Sequence, residues 1–193
     1  MSPVSFGPSD INNPRHVPWG MVPESFWLTK VLIFDFDWIV QEATHGHRVF
    51  PDHLKETTLI ALKETFKTLR SYEVRLGMTS NLTQSEVVQE LHKFNLAEDF
   101  DCIRCAEELP AHKPSPELHL NVMETLGVRP IRAIALETSS EGVQAANAAG
   151  IFCVGMGEMN GEVDFHLRSF IEHPLLHLLE QLDRSKRKKL GLF

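Results

Sequence analysis

Val31-Leu32-Ile33-Phe34 is an unbroken apolar run that ends in acids, the pattern of a strand buried on both faces of a parallel sheet. Residues 52–70 carry Leu54, Thr58, Leu62, Phe66 and Leu69 at spacings of three or four, which predicts a helix with one buried stripe. A second strand is expected from Glu73 to Met78. Thr83-Gln-Ser-Glu86 has the form of a capping box, opening a helix that buries Val87, Leu91 and Phe94. A short strand over Phe100–Cys105 comes next, then a helix over Pro116–Leu126 with proline in its first turn and Gly127 after its end. Ile131–Leu136 reads as a strand, Gly142–Ala149 as an alanine-rich helix stopped by Gly150, and Ile151–Val154 as a further strand. Strands alternating with helices of about ten residues make βαβ units. The expected fold is α/β, a Rossmann-like parallel sheet with helices on both faces, and ligands bind beyond the carboxyl ends of its strands.

The first 29 residues stand apart. Pro3, Pro8, Pro14, Pro18 and Pro23 interrupt any helix or central strand there, so residues 1–29 read as a proline-rich arm and 30–193 as the α/β domain. Trp19 and Trp27 could pin that arm to the domain surface. The chain of 193 residues has ordinary globular composition, 42% hydrophobic and 23% charged. No apolar run is long enough to span a bilayer, and the amino terminus lacks the basic flank and apolar stretch of a secretory signal. Three cysteines, an odd number, argue for a reducing, cytoplasmic setting rather than a disulfide framework. A formal charge of −7 argues against broad nucleic-acid binding.

The chemistry gathers at the strand ends. The first strand ends in Asp35-Phe36-Asp37, the second in Ser80-Asn81, and the 131–136 strand in Glu137-Thr138-Ser139, while Lys113-Pro114 precedes a helix. Ionised carboxylates are rarely buried without a partner, so two acids directly after a buried strand need a functional reason. Oxygen ligands of this kind favour magnesium, and a lysine with a hydroxyl suits a phosphoryl group.

These residues, in this order, resemble the haloacid dehalogenase (HAD) superfamily, close to its phosphoglycolate phosphatase and β-phosphoglucomutase-like branch. VLIFDFD is similar to the first motif of that family, LGMTSN to the second, HKPSPELHL to the third and IALETSSEGVQAANAAGIFCVGM to the fourth. The resemblance runs over roughly residues 30–182. It implies a magnesium-dependent phosphatase acting on a small phosphorylated substrate, with Asp35 as nucleophile forming an aspartyl-phosphate and Asp37 as general acid and base. It further implies that Ser80 and Asn81 bind the phosphoryl group, that Lys113 offsets its charge, and that magnesium is held by the Asp35 carboxylate, the Asp37 carbonyl and the fourth-motif acid, here Glu137.

Three departures stand against that pattern. Trp38-Ile39 replace the usual Gly-Thr after the second aspartate, and Thr138 replaces the usual aspartate of the fourth motif. Glu137, or Glu141 four residues on, is left to substitute as the acid. Asp35 and Ser80 are only 45 positions apart, too close for the helical cap of this branch. The expectation is a capless site with a short flap over residues 38–50, in which His45, His47 and Arg48 form either a solvated tip or a phosphate contact. The Trp38 indole must point into the site or over it. As apolar surface at an open site it suggests a homodimer, or the proline-rich arm, as its cover, and the other outcome is an indole packed beneath the flap of a complete monomer. The alternative to an enzyme is a catalytically degenerate member of the fold acting as a binding or accessory module. Cys102-Ile-Arg-Cys105 has metal-site spacing without a second pair. His112, His166, His173 and His177 read as surface residues, and the basic run Arg184–Lys189 as a solvated helix end.

Overall fold

In the computed structural model the run after Lys30 forms β1 (Val31–Asp35), whose five residues are all buried. The structure describes residues 28–45, 53–108, 112–157, 161–167 and 175–192. The proline-rich arm through Trp27, the flap residues 46–50 and His173 lie outside them. After β1 come α1 (Phe36–His45), α2 (His53–Ser71), β2 (Arg75–Ser80), α3 (Gln84–Lys93), β3 (Cys102–Cys105) and α4 (Glu117–Thr125). The chain continues through β4 (Ala133–Glu137), α5 (Ser140–Ala148), β5 (Phe152–Met156), β6 (Phe165–Leu167) and α6 (Leu175–Lys189). The six strands lie in the order β3-β2-β1-β4-β5-β6, and every pairing is parallel. The chain winds one way from β1 to β3 and the other way from β4 to β6. The crevice between the carboxyl ends of β1 and β4 is therefore the switch point where such sheets bind ligands.

Alternation along each strand sorts the core into two layers. Leu32, Phe34, Leu76, Met78, Ile134 and Leu136 face α1, α2, α3 and α6. Val31, Ile33, Cys102, Ala133, Ala135 and Cys153 face α4 and α5. Small residues on the second face bring those helices close: a Cβ on Gly77 would sit 2.6 Å from Cγ1 of Val122 on α4. Cys102 and Cys105 belong to opposite layers, so the pair does not form one ligand set. The capping box is present, with Glu86 N donating to Thr83 Oγ1 at 3.3 Å and Thr83 N donating to Glu86 Oε2 at 2.9 Å. No helix among the described residues is long and apolar enough to cross a membrane.

Two expectations change here. The residues directly after β1, expected as a flap from Trp38, form helix α1 as far as His45. Phe36, Trp38 and Ile39 turn inward, and Trp38 is 2% exposed, stacked on Phe34 with ring centroids 5.1 Å apart. An indole there fills the space beneath the site instead of lying over it, so Trp38 offers no apolar surface for a second subunit to cover.

The basic run is also not wholly solvated. It lies inside α6, and Lys186 is 1% exposed, donating to the Ala133 carbonyl at 2.8 Å. Its neighbour Asp183 accepts from Thr29 N at 3.2 Å and from Leu28 N at 3.3 Å, fastening the chain that enters β1. Burial pushes the Lys186 ammonium down to about 8, against the pull of Asp183.

Replacing Trp38 by alanine should empty a core position and cost about 3–5 kcal/mol in urea unfolding. A loss below about 1 kcal/mol would show that the indole is not packed in the core.

Candidate active site

Asp35 closes β1 at 4% exposure, Ser80 closes β2, and Glu137 closes β4 with no exposed surface. Lys113 precedes α4, and its backbone N–H donates to Asn81 Oδ1 at 2.9 Å, so the residue after β2 sets the position of the lysine. Lys113 Nζ then donates to Asp35 Oδ1 and to Glu137 Oε2, each at 2.8 Å. The second oxygen of each carboxylate is also taken. Thr138 Oγ1 donates to Asp35 Oδ2, and His119 Nε2 lies 2.7 Å from Glu137 Oε1. An ionised carboxylate only accepts, so the His119 nitrogen facing it carries a hydrogen. Thr138, Asp35, Lys113, Glu137 and His119 thus form one continuous buried chain of polar contacts.

Gly142 makes room for it. A Cβ at that position would fall 1.9 Å from Glu137 Oε2, so no side chain can sit there while the carboxylate keeps its place. Ser139 caps α5 by accepting from Gly142 N at 3.1 Å, which seats the helix start against β4.

One ammonium serves two carboxylates, at 2.8 Å from each. Burial works against the Lys113 charge, but Glu137 and Asp35 outweigh it and hold the ammonium above the usual lysine range. Burial likewise opposes the Glu137 charge, yet Lys113 and the contact with His119 keep that carboxyl below its ordinary value. For Asp35 burial prevails over Lys113, with Glu137 adding repulsion, and its carboxyl is raised.

The structure therefore brings together Asp35, Lys113 and Glu137, with Ser80 and Asn81 on the neighbouring strand end. Ser80 Oγ accepts from Leu82 N at 3.1 Å. Asp37 stands exposed on the first turn of α1, with no ion pair among the described residues. Glu141 is exposed at the start of α5 and accepts from Ser140 Oγ at 3.0 Å, away from the buried chain. His112 and His166 are exposed. His119 was not among the candidates read from the sequence. Its only signal there was a histidine on the α4 face that carries Leu118, Val122 and Met123.

Among the described residues no group of three or more histidines, cysteines and acids is placed to hold a metal ion. Both oxygens of Glu137 and both of Asp35 are committed to protein donors, and the neighbouring position offers the neutral hydroxyl of Thr138. In this arrangement the residues do not fit a resident magnesium ion.

A family profile described as haloacid dehalogenase-like hydrolase matches residues 39–156, and the chain belongs to that family. The matched segment contains Ser80, Asn81, Lys113 and Glu137 and begins after Asp35 and Asp37. The chain is 33% identical over 104 residues to a phosphorylated carbohydrates phosphatase of Thermotoga maritima, covering 54% of this chain and 47% of that protein. It is 33% identical over 95 residues to a phosphoglycolate phosphatase of Pseudomonas putida, covering 49% of this chain and 35% of that one. The chain thus spans about half the length, or less, of these relatives. The fold is similar to that of β-phosphoglucomutase from Clostridium difficile, with a TM-score of 0.61 and 15% identity over 81% of this chain and 98% of the other. A subfamily IA hydrolase of Geobacter sulfurreducens gives a TM-score of 0.59 and 19% identity, covering 79% and 97% of the two chains.

Removing the shared cation tests the electrostatics. In Lys113→Met both buried carboxylates lose their cation, so the folded-state value of Asp35 should rise further and that of Glu137 should rise above the ordinary 4.5. An acid raised by folding destabilises at pH above its unfolded value, so the loss should be largest near neutrality, about 3–5 kcal/mol. It should shrink as the pH falls toward about 5, where the buried carboxyls take up protons. Urea unfolding at the two pH values checks this, and a loss independent of pH would contradict it.

Proposed function

We propose that the chain is a phosphoric monoester hydrolase acting on a small organic phosphate through Asp35. The observation that carries this reading is Lys113 Nζ at 2.8 Å from both Asp35 and Glu137 in the switch-point crevice. A lysine fixed there places positive charge beside the attacking oxygen and the transferring phosphoryl group, where negative charge accumulates. The names of its relatives, phosphatases of phosphorylated carbohydrates and of phosphoglycolate, support the substrate class.

In the proposed sequence an Asp35 oxygen attacks phosphorus, forming the aspartyl-phosphate as the ester bond breaks and Asp37 supplies a proton to the leaving oxygen. Asp37 then takes a proton from water, which attacks the acyl phosphate and releases inorganic phosphate and the free Asp35 carboxylate. Ser80 and Asn81 stand at the end of β2 to bind the phosphoryl oxygens. Lys113 and Thr138 hold the Asp35 carboxylate in one orientation throughout.

Thr138 also supports a second reading, a phosphate-binding module without turnover. Its hydroxyl occupies an Asp35 oxygen where the family pattern has a further acid. The two readings separate in a p-nitrophenyl phosphate assay with magnesium. If the chain is a hydrolase, wild type turns over and Asp35→Asn loses about two orders of magnitude or more in kcat. Absence of wild-type turnover with retained phosphate binding favours the module. Magnesium should bind weakly to wild type in calorimetry, and Thr138→Asp should tighten it and raise activity. Tight wild-type binding with no gain in the variant would refute this account of position 138.

A further inference from the structure

At the opposite end of the sheet, a cleft of about 400 Å³ is lined by Lys30, Glu73, Arg75, Gly127, Val128, Arg129 and Arg132. Four cationic residues and one acid line it, on a chain whose formal charge is −7. Glu73 is committed to Lys30, with its carboxylate 3.1 Å from Nζ. Among the described residues Arg75, Arg129 and Arg132 have no carboxylate partner. The cluster is fixed by the backbone: Arg75 N donates to the Lys30 carbonyl at 2.9 Å, Lys30 N to the Arg132 carbonyl at 2.8 Å, and Arg132 N to the Arg129 carbonyl at 2.8 Å. Lys30 enters β1, Arg75 opens β2, and Arg132 precedes β4, so three adjacent strands present cations at one edge. The same strands end at Asp35, Ser80 and Glu137. Five residues of parallel strand separate the two ends by about 17 Å, which makes the cleft distinct from the candidate active site.

We infer that this cleft is a second ligand site, for a small molecule carrying two or more phosphate groups. Arginine's planar fork matches phosphate oxygens in pairs, and three unmatched guanidiniums over one concave space ask for more negative charge than a single monoester carries. The volume is that of a small-molecule pocket rather than a track for a polymer. Lys186 reports the same positive field from beneath: after burial, and against Asp183, the charge of Arg132 also contributes to lowering it.

The test is calorimetric titration of the whole chain with inorganic pyrophosphate at low ionic strength. Wild type should bind one pyrophosphate saturably, with affinity falling as salt is added. Arg75→Gln, Arg129→Gln and Arg132→Gln, each made singly, should weaken binding about tenfold or more. Arg184→Gln, at an exposed arginine paired with Glu180 on α6, should leave it unchanged, and Asn81→Ala, at the catalytic edge, should not abolish it. Thermal unfolding confirms that each variant folds, and any variant that does not is replaced by the remaining two arginines. No saturable binding in the millimolar range overturns the inference. So does binding that Asn81→Ala abolishes while the arginine variants keep it, because the anion then sits at the catalytic edge. None of these readouts depends on turnover, so the phosphatase reading can fail without this one and the reverse.

Discussion

Among the described residues, the ammonium of Lys113 is the charge that bridges the two carboxylates closing β1 and β4. Asp35 and Glu137 close adjacent strands β1 and β4, both buried, and two carboxylates at that spacing repel each other in a medium that solvates neither. Lys113 holds them together with one short bond to each. The surrounding features follow from keeping that cation in place. Asn81 grips its backbone, Gly142 gives up a side chain so that Glu137 can reach it, and His119 takes the far oxygen of Glu137. Desolvating an ion costs several kcal/mol even after relaxation, so a partial version of this network would be worse than an apolar one. In this chain Asp35, Asn81, Lys113 and Glu137 come from four separate segments and meet in this one network.

The sheet makes the set affordable. Because all six strands run parallel, every strand end that carries a polar residue lies at one edge, and every strand start lies at the other. The cationic starts at Lys30, Arg75 and Arg132 and the polar ends at Asp35, Ser80 and Glu137 belong to the same three strands. Between them the strands are almost wholly apolar and buried, so the two charged edges are insulated from each other by core. A chain of negative net charge thereby keeps a basic recess well away from its acidic crevice.

How much of this was legible in the sequence depends on whether a residue's role was local. The strand ends were readable because a buried strand announces itself as an apolar run, and Asp35 and Glu137 stop such runs abruptly. The capping box at Thr83 and the helix break at Gly127 were readable for the same reason, since turn and cap chemistry acts over three or four residues. The direction of the Trp38 indole depends on packing against Phe34, which the residues around position 38 do not specify. Phe36, Trp38 and Ile39 do not make one stripe at helical spacing, yet all three are buried. His119 and Lys186 could not be read at all. A histidine on an apolar helix face and one lysine in a basic run acquire meaning only from their partners, Glu137 and the Ala133 carbonyl, which lie far off in sequence.

Thr138 then bears on the charge that any phosphate must meet. With Asp35 and Glu137 ionised and Lys113 charged, the buried set carries one net negative charge. An acid at 138 would make it two, the deficit that a divalent cation balances. Threonine removes that acid and turns an acceptor into a donor aimed at Asp35, so it lowers both the means of holding a cation and the need for one. The raised carboxyl of Asp35 fits the same account, because burial already disfavours its charge and the neighbouring Glu137 carboxylate adds repulsion. A phosphoryl group entering this crevice would compete with Glu137 for Lys113.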